Sequence, residues 1–492
     1  MLNPIAVTPG NSSITPIVPG FHPDPTVCRV GDDYYLATSS FEYFPAVPVF
    51  HSTDLLTWTQ IGNILTTREQ FVEGEGRPSL GVWAGTLRHR DGRFYYITTN
   101  VSDIDSGQII VTATDPAGPW SEPVHVRDAI GIDPDICWDD DGTCLVTWHR
   151  FNFDVGGIDV HQAPVDPSTG EMLKPSYEVW SGSGLPSAEG PHLYRIGEWW
   201  YLLYAEGGTE RGHCATVARA RRPEGPYEGC PANPVLTRRS TNTPVHNTGH
   251  ADLVQTASGD WAAVYLGVRP RGGTPGFHML GRETFLSGID WEDGWPVFVT
   301  DRYTVPEGLT GFVEDFVDAD LQPRWVVPSG TLDDIERDPA TGVTVPPTRR
   351  LCVRVRDLSW EAIADLVGDG SFEVRIDPLH NYRVDVVDGE AVAVATIGGR
   401  EQTVGVAALS GGEATRVRLR AEAPPRQEVP LGVPAPDLIV LEFERADGWV
   451  ELARLDGRYL STEVASGFTG RVLAVGSDAR ATTARRIEYR PL

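Results

Sequence analysis

Five residues of differing chemistry stand at corresponding places in a repeated phrase of this sequence: Asp24, Trp83, Asp133, Glu189 and His250. If the phrases are equivalent units around one axis, three carboxylates, an indole and an imidazole meet in one place. Paired carboxylates between aromatic walls suit cleavage of a glycosidic bond. One stays ionised as base or nucleophile, and the other stays protonated near neutral pH to give its proton to the leaving oxygen. A third carboxylate close by raises the pKa of the acid, because like charges at short range oppose ionisation. Asp24, Asp133 and Glu189 can fill these three roles, and residue type alone does not distribute them. Trp83, with Phe41 of the SSFEYFP segment, offers apolar faces for the C–H-rich side of a sugar ring. Asp24 lies between Pro23 and Pro25, whose fixed φ angles are expected to present it on stiff, non-helical backbone.

The elements that must position these residues are hairpins. The phrase is a polar or small residue, a β-rich run, a glycine turn and a second β-rich run. It occurs from His22, Val82, Asp133, Glu189 and Gly249, with turn glycines Gly31, Gly92, Gly142, Gly197 and Gly259. A recurrence of roughly 50 to 60 residues matches a four-stranded blade with its loops, so the expectation is a five-bladed β-propeller. Intervening phrases such as HSTDLLTWTQIG, ATDPAGPWSEP and ARRPEGPYEG fit outer strands. The first strand of each blade lines the axis, which is what brings the five residues together.

After about Pro306 the phrase stops. GFVEDFVDADLQPRWVVPSG opens a region holding three of the fourteen tryptophans, Trp325, Trp360 and Trp449, and many short alternating runs such as SFEVRIDP and YRVDVVDG. Alternation between closely spaced turns reads as an antiparallel β-sandwich. The expected division is a propeller over residues 1–306 and a sandwich over 307–492, with the proline-rich APPRQEVPLGVPAP as a surface connection.

Composition narrows the partners. A net charge of -27 repels nucleic acid and anionic membrane. No window approaches the run of about twenty apolar residues a spanning helix needs. The first residues, MLNPIAVTPGNSS, have neither a basic start nor an apolar stretch, so cytoplasmic residence is the expectation. Six dispersed cysteines without a CxxC pair argue against a zinc site or a disulfide framework and are expected to be buried thiols.

The motifs GFHPDPTVCRVGDDYYLATSSFEYFP, GVWAG, GIDPDI, AEGPHLY, YAEGGT, NTGHADLV and GVRP run in this order over about the first 300 residues. In them the chain resembles glycoside hydrolase family 43, the inverting β-xylosidases and α-L-arabinofuranosidases, and in particular its two-domain β-xylosidase group. The resemblance implies that Asp24 is the general base, Glu189 the general acid, and Asp133 the aspartate that orients the acid and tunes its pKa. Asp135 is a near neighbour open to confusion with Asp133. Arg269, in GVRP, matches an arginine that contacts substrate hydroxyls, and Phe41 and Trp83 match pocket aromatics. His250 matches an axial histidine that in many members sits beside a bound water or calcium ion. No cofactor is required on this reading, and a structural calcium near His250 stays open.

Two departures qualify the likeness. Trp83-Ala84-Gly85-Thr86-Leu87 stands where the usual phrase is close to WAPDL, and the C-terminal region is similar to the family's concanavalin-like sandwich only through EDFVDADLQPRW and its general pattern. In some relatives a sandwich loop closes the pocket, which assigns His380-Asn381-Tyr382 as the candidate here. The expected partner is a xylo- or arabino-oligosaccharide, with homo-oligomerisation left open. The leading expectation is release of terminal β-D-xylosyl residues, with arabinofuranose as the alternative. A non-catalytic carbohydrate-binding propeller is the rival from another class, and fructan cleavage, which uses a similar trio with other motif words, is a further enzymatic option.

Overall fold

The computed structural model describes residues 15–492 except positions 72, 75–76, 153–156, 319, 410–413 and 425–434. Most of the proline-rich connection and the whole N-terminal stretch singled out above lie outside the described residues. The chain is all-β. Among the described residues the one α-helix is the four-residue turn Thr462–Ala465, and no helix is long and apolar enough to cross a membrane.

Each repeated phrase forms an antiparallel hairpin. The first strands are Thr26–Val30, Val82–Arg90, Gly131–Trp138, Glu189–Ile196 and His246–Gln255, and each pairs with the strand that follows it. The five turn glycines sit in these hairpins with φ between +61° and +93°. A Cβ at Gly31, Gly92, Gly197 or Gly259 would meet nothing within 4 Å. The left-handed backbone of the turn, not crowding, is therefore what calls for glycine. Among the described residues each hairpin belongs to a sheet of four strands in chain order, the fourth sheet carrying one extra short strand, Leu236–Thr237.

The tightly apolar second strands show how the sheets stack. In Trp199–Glu206, Trp200, Leu202 and Tyr204 pack on Leu145 and Val160 of the third sheet, whereas Tyr201 and Leu203 pack on Leu253 and Ala263 of the fifth. Successive side chains point to opposite faces, so a strand covered on both sides loses its polar alternation and reads as one apolar run. The fifth sheet does the same: Ala263 and Tyr265 face the fourth, and Ala262 and Val264 face Val27, Leu36 and Phe50 of the first. Equivalent clusters join the second sheet to the third and the first to the second. Each sheet thus packs on the next and the fifth on the first, closing a ring.

A polar plug ties the ring along its axis. The Asp252 carboxylate accepts from Thr26 Oγ1 at 2.7 Å, Val27 N at 2.9 Å, Arg88 Nη1 at 2.8 Å and the Tyr194 hydroxyl. Arg88 Nη2 also donates to Asp135 Oδ1 at 3.1 Å, and Asp135 Oδ2 accepts from Leu193 N at 3.1 Å. All five sheets contribute to this network. Burial opposes ionisation of Asp252, but Arg88 and the hydrogen bonds outweigh it and hold the carboxyl well below its ordinary value. A buried charge survives only when paired and fully hydrogen-bonded, as here. Asp135, the near neighbour of Asp133, belongs to this plug.

Beyond the ring, among the described residues, an eight-stranded and a six-stranded sheet take up the rest of the chain. Trp360, Ala362, Ala364 and Leu366 of one and Phe372, Val374, Tyr382 and Val384 of the other are buried in a common core. Here the period of two survives even where the second face of the six-stranded sheet is covered by Phe21, Phe41 and Tyr43, because Glu373 and Arg375, buried in Gly370–Asp377, pair with each other. The two regions meet in backbone hydrogen bonds from Phe44 N to Val327 O at 2.8 Å and from Arg471 N to Met279 O at 3.0 Å. All six cysteines are buried free thiols.

Candidate active site

The inner strands are irregular where the chemistry stands. Pairing register slips between Val82 and Gly85, between Ile132 and Asp135, between Glu189 and His192, and between Gly249 and Asp252. Asp24, Asp133 and His250 take φ of +54°, +54° and +45°, and Gly190 takes +56°. Bulges and left-handed residues re-aim side chains, here toward the axis. This corrects the reading of Asp24 as simply clamped by its prolines: they fix their own φ, and what they impose on Asp24 is avoidance of right-handed helix. Asp133, followed by Pro134, repeats the device.

Asp24, Asp133, Glu189, His250, Phe41 and Trp83 line one pocket of about 300 Å³. Asp24 is held from two sides: Arg282 Nη1 donates to Oδ1 at 2.7 Å, and Ser39 Oγ donates to Oδ2 at 2.6 Å. Burial works against its charge, yet Arg282, His250 and Ser39 prevail and keep its pKa below the ordinary value. Glu189 moves the other way. Burial first, then the negative charge of Asp24, push it up to about 7, with Arg282 opposing. Asp133 is raised well above its usual range by burial and then by Glu189 and Asp24, although Gly190 N donates to its Oδ2 at 3.1 Å. One pocket therefore holds a carboxylate kept ionised beside two that resist ionisation.

His250 packs on the backbone of Gly190 and lies 3.9 Å from Asp24 Oδ1 through Nδ1. Burial pushes its pKa down to about 3, Asp24 opposing and His192, His213 and Arg282 assisting, so the imidazole is neutral. The side chains that bear most on its charge offer few of the about six to eight oxygen ligands that calcium takes. They are two imidazoles, a guanidinium and one carboxylate already engaged by Arg282, and among the described residues no three His, Cys, Asp or Glu side chains gather with metal-ligand spacing. No step of the chemistry below runs through a metal. A Cβ on Gly190 would come within 2.7 Å of His250 Cε1. Gly190→Ala is accordingly expected to lower stability by roughly 2–4 kcal/mol, combining left-handed strain with overpacking. A urea midpoint equal to that of the parent would contradict the contact.

The aromatic wall has a member the sequence reading missed. Phe468 stacks on Phe41, with ring centroids 6.0 Å apart, and meets Trp83 edge-on at 5.1 Å. Its backbone N–H donates to Ser79 Oγ at 2.9 Å, and Ser79 O accepts from Trp83 Nε1 at 2.9 Å. The second region does reach the pocket, but through Gly467-Phe468 and not through 380–382. His380 instead hydrogen-bonds Asp377 at 3.0 Å within its own sheet, and none of 380–382 lines the pocket.

Arg269 is a second correction. It forms a bidentate pair with Glu283, Nε to Oε2 at 2.6 Å and Nη2 to Oε1 at 2.8 Å, and does not line the pocket. Its partner is fixed in turn by Gly20 N at 3.0 Å, so Arg269 joins the chain's start to the fifth sheet. Arg282 is the arginine in the pocket. Its guanidinium lies 5.6 Å from the rings of both Phe41 and Phe468 and reaches Thr209 Oγ1 at 3.1 Å. Thr209 and His213 are further lining residues that sequence reasoning did not identify. The cue for Arg282 was the glycine before it: Gly281 takes φ +75° against Phe21 and Gly470, the same kind of special backbone that aims Asp24 and Asp133.

The sequence profile described as Glycosyl hydrolases family 43 matches residues 14–296. A xylosidase/arabinosidase of Butyrivibrio fibrisolvens is 47% identical over 292 residues, covering 57% of this chain and 55% of that protein. A non-reducing end alpha-L-arabinofuranosidase of Bacteroides ovatus is 45% identical over 285 residues, covering 57% of this chain and 52% of that protein. The match thus spans about half the length of these curated relatives. Among solved structures, the GH43B protein of the Bacteroides ovatus xyloglucan locus superposes with a TM-score of 0.85 at 31% identity, over 97% of this chain and 99% of that one.

Proposed function

The chain belongs to glycosyl hydrolase family 43, and on that premise we propose that it is an exo-acting, inverting glycosidase that releases a terminal β-D-xylosyl residue from xylo-oligosaccharides. On this reading the ring of five sheets is a five-bladed propeller and the two larger sheets are a concanavalin-like sandwich. The observation that carries the proposal is the split in protonation within one pocket: Asp24 below the ordinary carboxylate range, Glu189 at about 7.

Each side chain then has a task. A water held by Asp24 gives up a proton to its carboxylate and attacks the anomeric carbon on the face opposite the leaving group. Glu189 delivers its proton to the departing glycosidic oxygen as the C–O bond breaks. Burial and the charge of Asp24 keep Glu189 protonated, and Asp133, accepting from Gly190 N, ties the backbone on which Glu189 stands. Arg282 keeps Asp24 ionised and its two oxygens oriented. Phe41, Trp83 and Phe468 enclose the apolar side of a single pentose, and a pocket of about 300 Å³ supports removal of one unit at a time.

Release of α-L-arabinofuranose is the second reading, supported by the activities named for the two relatives above. A purely binding role has no use for two carboxylates of opposed protonation. Proton NMR of xylobiose during turnover tests the reading. The sugar first released is expected to be the α-anomer, whereas β-xylose as first product would overturn inversion, and binding without turnover of any pentoside would support the lectin-like alternative.

A further inference from the structure

The reaction pocket opens into a much larger cavity of about 1170 Å³, and the two share Thr209, Glu210, Arg282 and Phe468. On the glycosidase reading, the departing saccharide of a sugar held in the inner pocket extends into this outer one. Its walls are cationic in a chain whose net charge is -27. Arg211, Arg239 and Arg271 line it, and among the described residues none of the three makes an ion pair. Arg271 Nη1 donates to Leu358 O at 3.1 Å and to Ser359 Oγ at 3.4 Å, both neutral acceptors.

The carboxylates of the cavity do not balance these charges. Glu463 is engaged by His278, whose Nδ1 lies 2.6 Å from Oε1. Arg282 is already spent on Asp24. Of the carboxylates that line the cavity, that leaves Glu210 beside three guanidiniums, while Asp437, which acts on Arg271 from outside the lining, is held by Arg471. Arginines without an ion-pair partner along one cavity match a planar anion, which their forked donors hold in bidentate fashion.

We propose that the outer cavity recognises a carboxylate on the departing saccharide, so that the preferred substrate carries a uronic acid next to the cleaved sugar. This rests on the glycosidase reading above, because it needs the leaving group to lie in the outer cavity. The neutral inner pocket then selects the sugar removed, and the arginines select what it is removed from.

The test compares a β-D-xylosyl disaccharide bearing a uronic acid at the leaving-group position with its methyl ester, which has nearly the same shape and no charge. The parent protein is expected to favour the acid by about tenfold in kcat/KM at low salt, and the preference is expected to shrink as salt screens it. In the Arg211→Ala/Arg239→Ala double variant the acid-to-ester ratio should fall toward one. A parent ratio of one or less would overturn the proposal, as would a tenfold ratio that persists in the double variant. If neither compound is cleaved, the β-xylosidase reading fails instead. Calorimetric binding of the acid against the ester then decides on the cavity itself, with equal affinity counting against it.

Discussion

Glu189→Gln is expected to lower kcat on xylobiose by about 10²–10⁴-fold while leaving an aryl pentoside with a good leaving group much less affected. A sugar alkoxide cannot leave without a proton, and a nitrophenolate can. The amide fills the same volume, so the fold is retained, and the urea midpoint should stay close to that of the parent. The pH profile gives an independent sign. Burial and the charge of Asp24 place Glu189 at about 7, so the proton-bearing form dominates below that value. In the parent protein, kcat/KM should therefore fall as pH rises through about 7, and in the Gln variant that alkaline limb should disappear. Equal losses on xylobiose and on the aryl substrate would reject Glu189 as the acid.

Asp24→Asn is expected to cost about as much, roughly 10²–10⁴-fold, on both substrate types alike, because every leaving group needs an activated water. Its carboxyl is kept below the ordinary range by Arg282, His250 and Ser39, so in the parent protein the base is ionised throughout the neutral and mildly acidic range. Activity should fail on the acid side only as pH drops through that depressed value. The substitution carries a second, diagnostic effect. Asp24 is the main charge holding Glu189 up after burial itself, so the remaining activity should lose its alkaline limb at a lower pH than in the parent. Titration of kcat/KM across pH 4–9 in the two proteins checks this, and an unmoved limb would show that the two carboxylates do not share a field.

What was legible in the sequence follows strand periodicity. Asp24, Asp133, Glu189 and His250 were readable because each sits at or just before the first strand of a repeated hairpin, and equivalent positions around a ring converge. The offset at Glu189 was not readable. There the left-handed position is Gly190, because the His250 imidazole occupies the space a side chain would need. Arg282 escaped for a related reason: it precedes Glu283–Glu292, the third strand of the fifth sheet, and no rule about first strands points to it. Arg269 and Arg282 stand 13 residues apart, one just after Trp261–Val268 and the other just before Glu283–Glu292, neighbouring strands of one sheet, and only the pairing of Arg269 with Glu283 tells them apart. Phe468 was illegible because its contact with Phe41 spans more than 400 residues of chain. Local pattern carries no trace of such a meeting.

The way Phe468 is held, with its N–H on Ser79 and its ring on Phe41, separates two kinds of inheritance. The carboxylates proposed as acid and base are carried by one stretch of chain, and one wall of their pocket is carried by another. Substitutions at Gly467-Phe468 can therefore reshape the pocket without touching the proposed acid and base. The converse also holds. A change far from the carboxylates in sequence can silence them, by opening to water a chamber whose every acid and base is intact.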